Sequence, residues 1–118
     1  MSPGASRRTT EARPGALLLG LVVASLASAA DGRTAAVTRN VVIDGMRFTP
    51  ATVDARPGDT IVWKNNDPFA HTVTALEGGP DSGEIPAGGT WAYRVKSAGT
   101  VAYICKLHPT MKAAIHVR

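Results

Sequence analysis

Three side chains that can bind a metal ion lie close together near the end of the sequence. Cys105 is followed by His108 three positions later and by Met111 three positions after that. A strand ending at the cysteine, then a tight loop and a final strand from Ala113, would place a thiolate, an imidazole and a thioether around one point. The fourth ligand must come from elsewhere, and His71 is the candidate because it follows a proline-containing turn at the start of another predicted strand.

The types of these four donors point to copper. Thiolate and thioether are soft ligands that favour Cu(I), imidazole suits both oxidation states, and two histidines with one cysteine and a weak axial methionine form an electron-transfer copper site. Such a closed site leaves no open position for a substrate. We therefore expect His71, Cys105, His108 and Met111 to hold one copper ion that cycles between Cu(I) and Cu(II), in a carrier rather than an enzyme.

Taken singly, the candidate ligands have simpler interpretations. A lone cysteine on a strand is most often packing, and a lone methionine most often fills a core, so the assignment of Cys105 and Met111 depends on their common spacing. Met46 is a second thioether, but it lies in the N-terminal hairpin region, where we expect packing. His116 alternates with apolar neighbours in the last predicted strand and should face solvent, away from the site.

The first 30 residues differ in composition from the rest of the chain. Arg7, Arg8 and Arg13 precede an apolar run at residues 16–27, and small residues follow to Ala30. This is the layout of a cleavable export signal, although the uncharged span from residue 14 to residue 30 reaches the lower limit for an uncleaved membrane anchor. We expect a signal peptide at residues 1–30, a flexible arm at 31–39 and a periplasmic or otherwise extracytoplasmic domain at 40–118, with no membrane span after cleavage.

Charge and cysteine content narrow the classes of partner. The leader carries three arginines and one glutamate of the 13 basic and nine acidic residues, so the remaining domain is nearly balanced. No basic run is interleaved with aromatic residues, which argues against nucleic acid. The single cysteine has no disulfide partner within the chain; in an oxidising compartment it is an inert buried thiol, an intermolecular disulfide, a nucleophile or a metal ligand.

From Asn40 onward, short β-prone runs alternate with turn residues, and no helical periodicity appears. This pattern predicts an all-β fold, a two-sheet Greek-key β-sandwich. The predicted strands are 40–43, 52–55, 60–64, 71–75, 90–95, 100–105 and 113–117.

The motifs resemble those of the cupredoxin family of blue copper proteins, and within it amicyanin and the plastocyanins. The resemblance rests on residues 46–50 (MRFTP), residues 57–65 (PGDTIVWKN) leading to His71, the segment from Tyr103 to Cys105, and the short C-x-x-H-x-x-M spacing, which is similar to that of amicyanin. It implies copper near one end of the sandwich, with His71 contributed by one strand and the other three ligands by the loop before the last strand.

The resemblance also implies how electrons move. The exposed edge of His108 would pass them to and from redox proteins, a donor and an acceptor, that dock on an apolar patch. Pro68, Phe69, Leu107 and Pro109 are the candidates for that patch.

Three positions depart from the pattern of the relatives. Thr72 replaces an asparagine that often links the two ligand loops, and its hydroxyl would do part of that work. Lys106 and Leu107 replace the small or proline residues common between the cysteine and the histidine. This change affects the hydrogen bonds to the sulfur, and hence the reduction potential, more than the identity of the ligands.

Two other functions remain as alternatives to a monomeric electron carrier. A periplasmic copper-binding or copper-delivery protein would favour a more open or methionine-rich site. A cysteine–histidine hydrolase would need an oxyanion-hole motif, which does not accompany Cys105 and His108.

Overall fold

The structure is a computed structural model that describes residues 35–118, together with Pro3, Gly4, Gly15 and Gly20. The predicted signal peptide, apart from those four positions, and the beginning of the predicted arm lie outside the described residues. Within the described part of the chain, no helix has the length and apolar character needed to cross a membrane.

The described residues form a sandwich of two four-stranded sheets, which confirms the predicted all-β, two-sheet fold. One sheet has the strand order β2-β1-β4-β6 and the other β3-β8-β7-β5. Pairing is mixed, because β1 runs parallel to β4 and β3 parallel to β8, whereas the other neighbours are antiparallel. The strands are β1 Thr38–Asp44, β2 Arg47–Thr49, β3 Thr52–Ala55, β4 Thr60–Asn65, β5 Thr74–Ala75, β6 Thr90–Arg94, β7 Gly99–Cys105 and β8 His108–Val117.

The core forms because alternate side chains of each strand face the opposite sheet. In β4, Ile61 and Trp63 are completely buried, and in β7 Tyr103 faces them from the second sheet. The same alternation continues to the last residue of each strand, where Asn65 and Cys105 are also buried. The alternation that buries the apolar side chains therefore also buries the amide of Asn65 and the thiol of Cys105.

The N-terminal boundary differs from the prediction. Strand β1 begins at Thr38, and Thr38 and Arg39 pair with Thr60 and Ile61 of β4. Val37 is held as well, because its N–H donates to the Asp59 carboxylate at 3.0 Å. The predicted arm at residues 31–39 is therefore wrong at its last two positions, which belong to a sheet.

The strands next to the predicted ligands also differ from the prediction. Strand β5 covers only Thr74–Ala75, and His71 instead makes an isolated bridge with Ile85. Strand β8 begins at His108, five residues before the predicted start, so the expected ligand loop is a two-residue turn of Lys106 and Leu107.

Candidate metal centre

Three of the four predicted ligands converge at one end of the sandwich. The donor atoms of His71, Cys105 and His108 lie within 4.8 Å of one another. In both histidines Nδ1 faces the sulfur, at 3.7 Å from Cys105 Sγ in each case. His71 and Cys105 are completely buried, whereas His108 is half-buried.

These separations fit a metal ion bound at the centre of the three donors. Bonds of about 2.0 Å to imidazole nitrogen and about 2.3 Å to thiolate sulfur, typical of zinc, place the two donor atoms about 3.7 Å apart when the angle between them is about 120°. One thiolate and two imidazoles in such an arrangement match the trigonal plane of an electron-transfer copper site. The residues present therefore fit the implied metal.

Met111, the fourth candidate, lies on the inner face of β8 and is 4% exposed. Its position three residues after His108 keeps it on the strand that carries that histidine. The expectation that Met46 packs in the protein is wrong, because the side chain is 39% exposed at a turn where its own φ is 58°. His116 is exposed, as expected, and its Nδ1 lies 3.0 Å from Thr100 Oγ1.

The segment that carries His71 is held by the buried side chain of Asn65. Its Nδ2 donates to the carbonyl oxygens of Phe69 at 2.8 Å and Ile85 at 3.0 Å, and its Oδ1 accepts from Asp67 N–H at 3.0 Å. The backbone of His71 exchanges two further hydrogen bonds with Ile85, at 3.1 and 2.7 Å. In the sequence Asn65 was only the last residue of the motif at residues 57–65, and this structural role was not predicted.

Thr72 joins the two segments that bear the ligands. Its backbone N–H donates to Cys105 Sγ at 3.3 Å, and its hydroxyl accepts from Lys106 N–H at 2.9 Å. The expectation that the hydroxyl does part of the linking work is thus confirmed. The sulfur that receives this N–H is the atom that would bind a metal.

A buried carboxylate lies behind His71. Asp67 Oδ2 is 2.7 Å from His71 Nε2, and the same carboxylate accepts from the N–H groups of Gly45 and Met46 at 2.8 and 3.0 Å. Burial by itself raises the pKa of the Asp67 carboxyl, but the hydrogen bonds from Met46, His71 and Gly45 outweigh it and lower the pKa below its ordinary value. Asp67 was not among the residues predicted to form the site.

Several apolar side chains next to the candidate ligands in the sequence are exposed. Phe69 is 43% exposed, and its ring centroid lies 5.1 Å from that of His71 and 5.7 Å from that of His108. Leu107 is 47% exposed, and Pro68 and Pro109 are exposed too. Exposed apolar residues are therefore found on both sequence segments that bear the histidines.

Comparison with known proteins agrees with this fold and with copper as the metal. The family described as copper binding proteins, plastocyanin/azurin family, matches residues 35–118. A chloroplastic plastocyanin of Tetradesmus obliquus is 25% identical over 124 aligned positions, covering 92% of this chain and 86% of the relative. A plastocyanin of Vicia faba is 30% identical over 77 positions, covering 54% of this chain and 78% of the relative.

Solved structures show the same fold. An amicyanin variant in its oxidised state superposes with a TM-score of 0.65 at 23% identity, covering 69% of this chain and 82% of that one. A copper-containing nitrite reductase from Thermus scotoductus SA-01 gives a TM-score of 0.64 at 24% identity and also covers 69% of this chain. The present chain spans only 22% of the reductase, so this second likeness concerns one part of that larger protein.

Proposed function

Because this chain belongs to the plastocyanin/azurin family of copper-binding proteins, and copper is its cofactor, we propose that it is a mononuclear blue copper protein that carries single electrons between redox partners outside the cytoplasm. His71, Cys105, His108 and Met111 are the proposed ligands. The observation that carries the proposal is the placement of two imidazole Nδ1 atoms at the same 3.7 Å distance from one buried thiol.

The surroundings of the site favour electron transfer over catalysis of a reaction on a bound substrate. Copper in such a donor set supplies a one-electron couple between Cu(I) and Cu(II). Asn65, Thr72 and the backbone of Ile85 hold the ligand segments in place, so the donors move little between oxidation states. With Met111 as fourth ligand, the donor set is closed and offers no open position to a substrate.

The route for electrons is the edge of His108. His71 is fully buried behind Phe69 and Asp67, whereas His108 is the one member of the three-residue cluster with surface exposure. We place the docking patch for redox proteins at the exposed apolar residues beside it, which are Pro68, Phe69, Leu107 and Pro109. An exposed apolar patch next to a conducting side chain allows a partner to approach and exclude water.

The location outside the cytoplasm rests on the pattern of the leader, where arginines precede an apolar run and a small-residue exit. Mass spectrometry of the protein recovered from an expressing cell measures whether residues 1–30 are removed. Cleavage near Ala30 is the expected result, and a cytoplasmic protein that keeps its leader would contradict the proposed location.

An optical spectrum tests the metal site. The copper-loaded protein is expected to be intensely coloured when oxidised and to bleach reversibly on reduction, because the colour comes from the bond between thiolate and copper. Cys105→Ser should abolish the colour, Met111→Leu should keep it, and His116→Ala is the matched control because this histidine lies outside the cluster. An oxidised, copper-loaded protein without colour would remove the proposal.

A second measurement separates carriage of electrons from delivery of copper. The carrier is expected to exchange electrons with itself faster than it releases copper to a chelator. The opposite order of rates would favour the copper-delivery alternative.

A further inference from the structure

The carboxylate of Asp67 decides which nitrogen of His71 is free to bind a metal. An ionised carboxylate only accepts hydrogen bonds, so at 2.7 Å from Asp67 Oδ2 the Nε2 atom of His71 must carry the proton. In a neutral imidazole the lone pair is then on Nδ1, the atom that lies 3.7 Å from Cys105 Sγ. The other tautomer would direct an N–H at the position where the metal is expected.

Three hydrogen bonds besides the one with His71 hold Asp67 in place. Gly45 and Met46 both have left-handed backbones, with φ of 59° and 58°, at the turn between β1 and β2. This turn directs both N–H groups at the carboxylate, at 2.8 and 3.0 Å. The backbone N–H of Asp67 is fixed in turn by Asn65 Oδ1. The turn at Gly45 and Met46, together with the side chain of Asn65, therefore sets the direction of the Asp67 carboxylate.

The same carboxylate places a fixed negative charge behind the site. Its side chain is 6% exposed, so water screens the charge little. Its hydrogen-bond donors are two neutral backbone groups and the imidazole itself. A carboxylate bonded to the far side of a ligating histidine raises the basicity of that ligand. Both effects stabilise the more highly charged Cu(II) relative to Cu(I).

We propose that Asp67 is a positioning residue that keeps the proton of His71 on Nε2, presents Nδ1 to the metal and lowers the reduction potential of the site. The part concerning the potential rests on the proposed function, whereas the part concerning the tautomer applies to the metal-free protein as well.

Asp59 offers a matched control for Asp67. It is also a buried aspartate, 4% exposed, and it accepts two backbone N–H groups, from Val37 at 3.0 Å and Arg56 at 2.9 Å. It precedes β4, whereas Asp67 follows β4. Six residues of strand separate the two ends by about 20 Å. Asp59→Asn therefore makes the same chemical change at the end of β4 away from His71.

Two measurements test the proposal. In the copper-loaded protein, Asp67→Asn is expected to move the equilibrium between Cu(II) and Cu(I) roughly tenfold toward Cu(I), a rise in potential of about 59 mV for one electron. Asp59→Asn should leave the potential unchanged. In the metal-free wild-type protein, ¹⁵N NMR should show His71 with its proton on Nε2, and Asp67→Asn should populate the other tautomer.

The possible outcomes distinguish a failure of the role proposed for Asp67 from a failure of the proposed function. A wild-type His71 with its proton on Nδ1 overturns the positioning role, and this measurement needs no variant to fold. An unchanged potential in a folded Asp67→Asn variant overturns the tuning role. A wild-type protein that binds no copper would instead overturn the proposed function, and the NMR result would still decide the tautomer.

Discussion

The indole Nε1 of Trp63 donates a hydrogen bond to the hydroxyl of Tyr103 across the sandwich, at 3.2 Å. Trp63 belongs to β4 in one sheet and Tyr103 to β7 in the other. Both side chains are at most 1% exposed, and their rings meet edge to face at a centroid distance of 5.7 Å. The hydroxyl of Tyr103 thus gives the buried N–H of Trp63 its acceptor.

Tyr103→Phe is expected to destabilise the protein. The change leaves the N–H of Trp63 buried without an acceptor, which costs about 1 to 3 kcal/mol in the free energy of unfolding. Chemical denaturation of the metal-free protein measures it. Tyr93→Phe is the control, since Tyr93 lies partly exposed on β6 and should lose little. Equal stability of both variants would mean that the inter-sheet hydrogen bond contributes nothing.

Tyr103 also predicts a loss of stability in alkaline solution. Burial raises the pKa of Tyr103 from 10.0 to about 12, against a smaller lowering by the hydrogen bond from Trp63. Because the folded state holds this proton more tightly than the unfolded state, its contribution is complete below pH 10.0 and is lost as the pH rises to about 12. Unfolding of wild type and Tyr103→Phe across this range should give a steeper decline for wild type, and parallel declines would contradict the assignment.

Acid is expected to weaken the fold through Asp59. Hydrogen bonds from the backbone of Val37 and Arg56 lower the pKa of its carboxyl below 3.8. A carboxyl whose folded pKa is depressed stabilises the fold above its unfolded pKa, and that stability is lost as the pH falls through the folded value. Asp59→Asn should therefore lower stability at neutral pH and give a shallower loss in acid. A variant with the wild-type acid profile would show that Asp59 is not responsible.

Thr72→Val tests the link between the two ligand segments. Valine keeps the shape of threonine but removes the acceptor for Lys106 N–H, which we expect to cost about 1 kcal/mol. Thr72→Ser is the matched variant, because it retains the hydroxyl. Copper-loaded Thr72→Val should also show a shifted absorption band, since Lys106 follows Cys105 directly. A spectrum and stability like those of wild type would show that the hydroxyl is dispensable.

Two features of the sequence were enough to predict much of the structure. Short β-prone runs between turn residues predicted the sheets, and the spacing of Cys105 and His108 predicted that their side chains lie together. Strand β3 was predicted at its observed bounds, and β7 within one residue. Strand β2 was missed because it has only three residues and begins after Met46, whose left-handed φ is uncommon for a residue with a side chain.

The early start of β8 was missed because a tight loop was expected between Cys105 and Ala113, and this segment contains Pro109. Proline is tolerated near the start of a strand that has a free edge. Strand β3 pairs with β8 only from Ala114 to Val117, so the beginning of β8 has such an edge. The sequence near Pro109 does not show which residues of β8 pair with β3, so the free edge could not be predicted.

Asp67 was missed for a different reason. It lies in a polar turn, where a carboxylate is ordinary. Two of its donors, Gly45 and Met46, lie 22 and 21 residues upstream, and only the completed fold brings them to it. Local sequence therefore predicts the ligands better than the residues that orient them.

The complete burial of Cys105 has a practical consequence for handling the protein. A disulfide requires two sulfur atoms about 2.05 Å apart. The thiol has no exposed surface, so the sulfur of a neighbouring molecule cannot approach it while the two sheets remain packed. Purification in air, without added reductant, should therefore give no covalent dimers, and a dimer band on a non-reducing gel would indicate unfolded material.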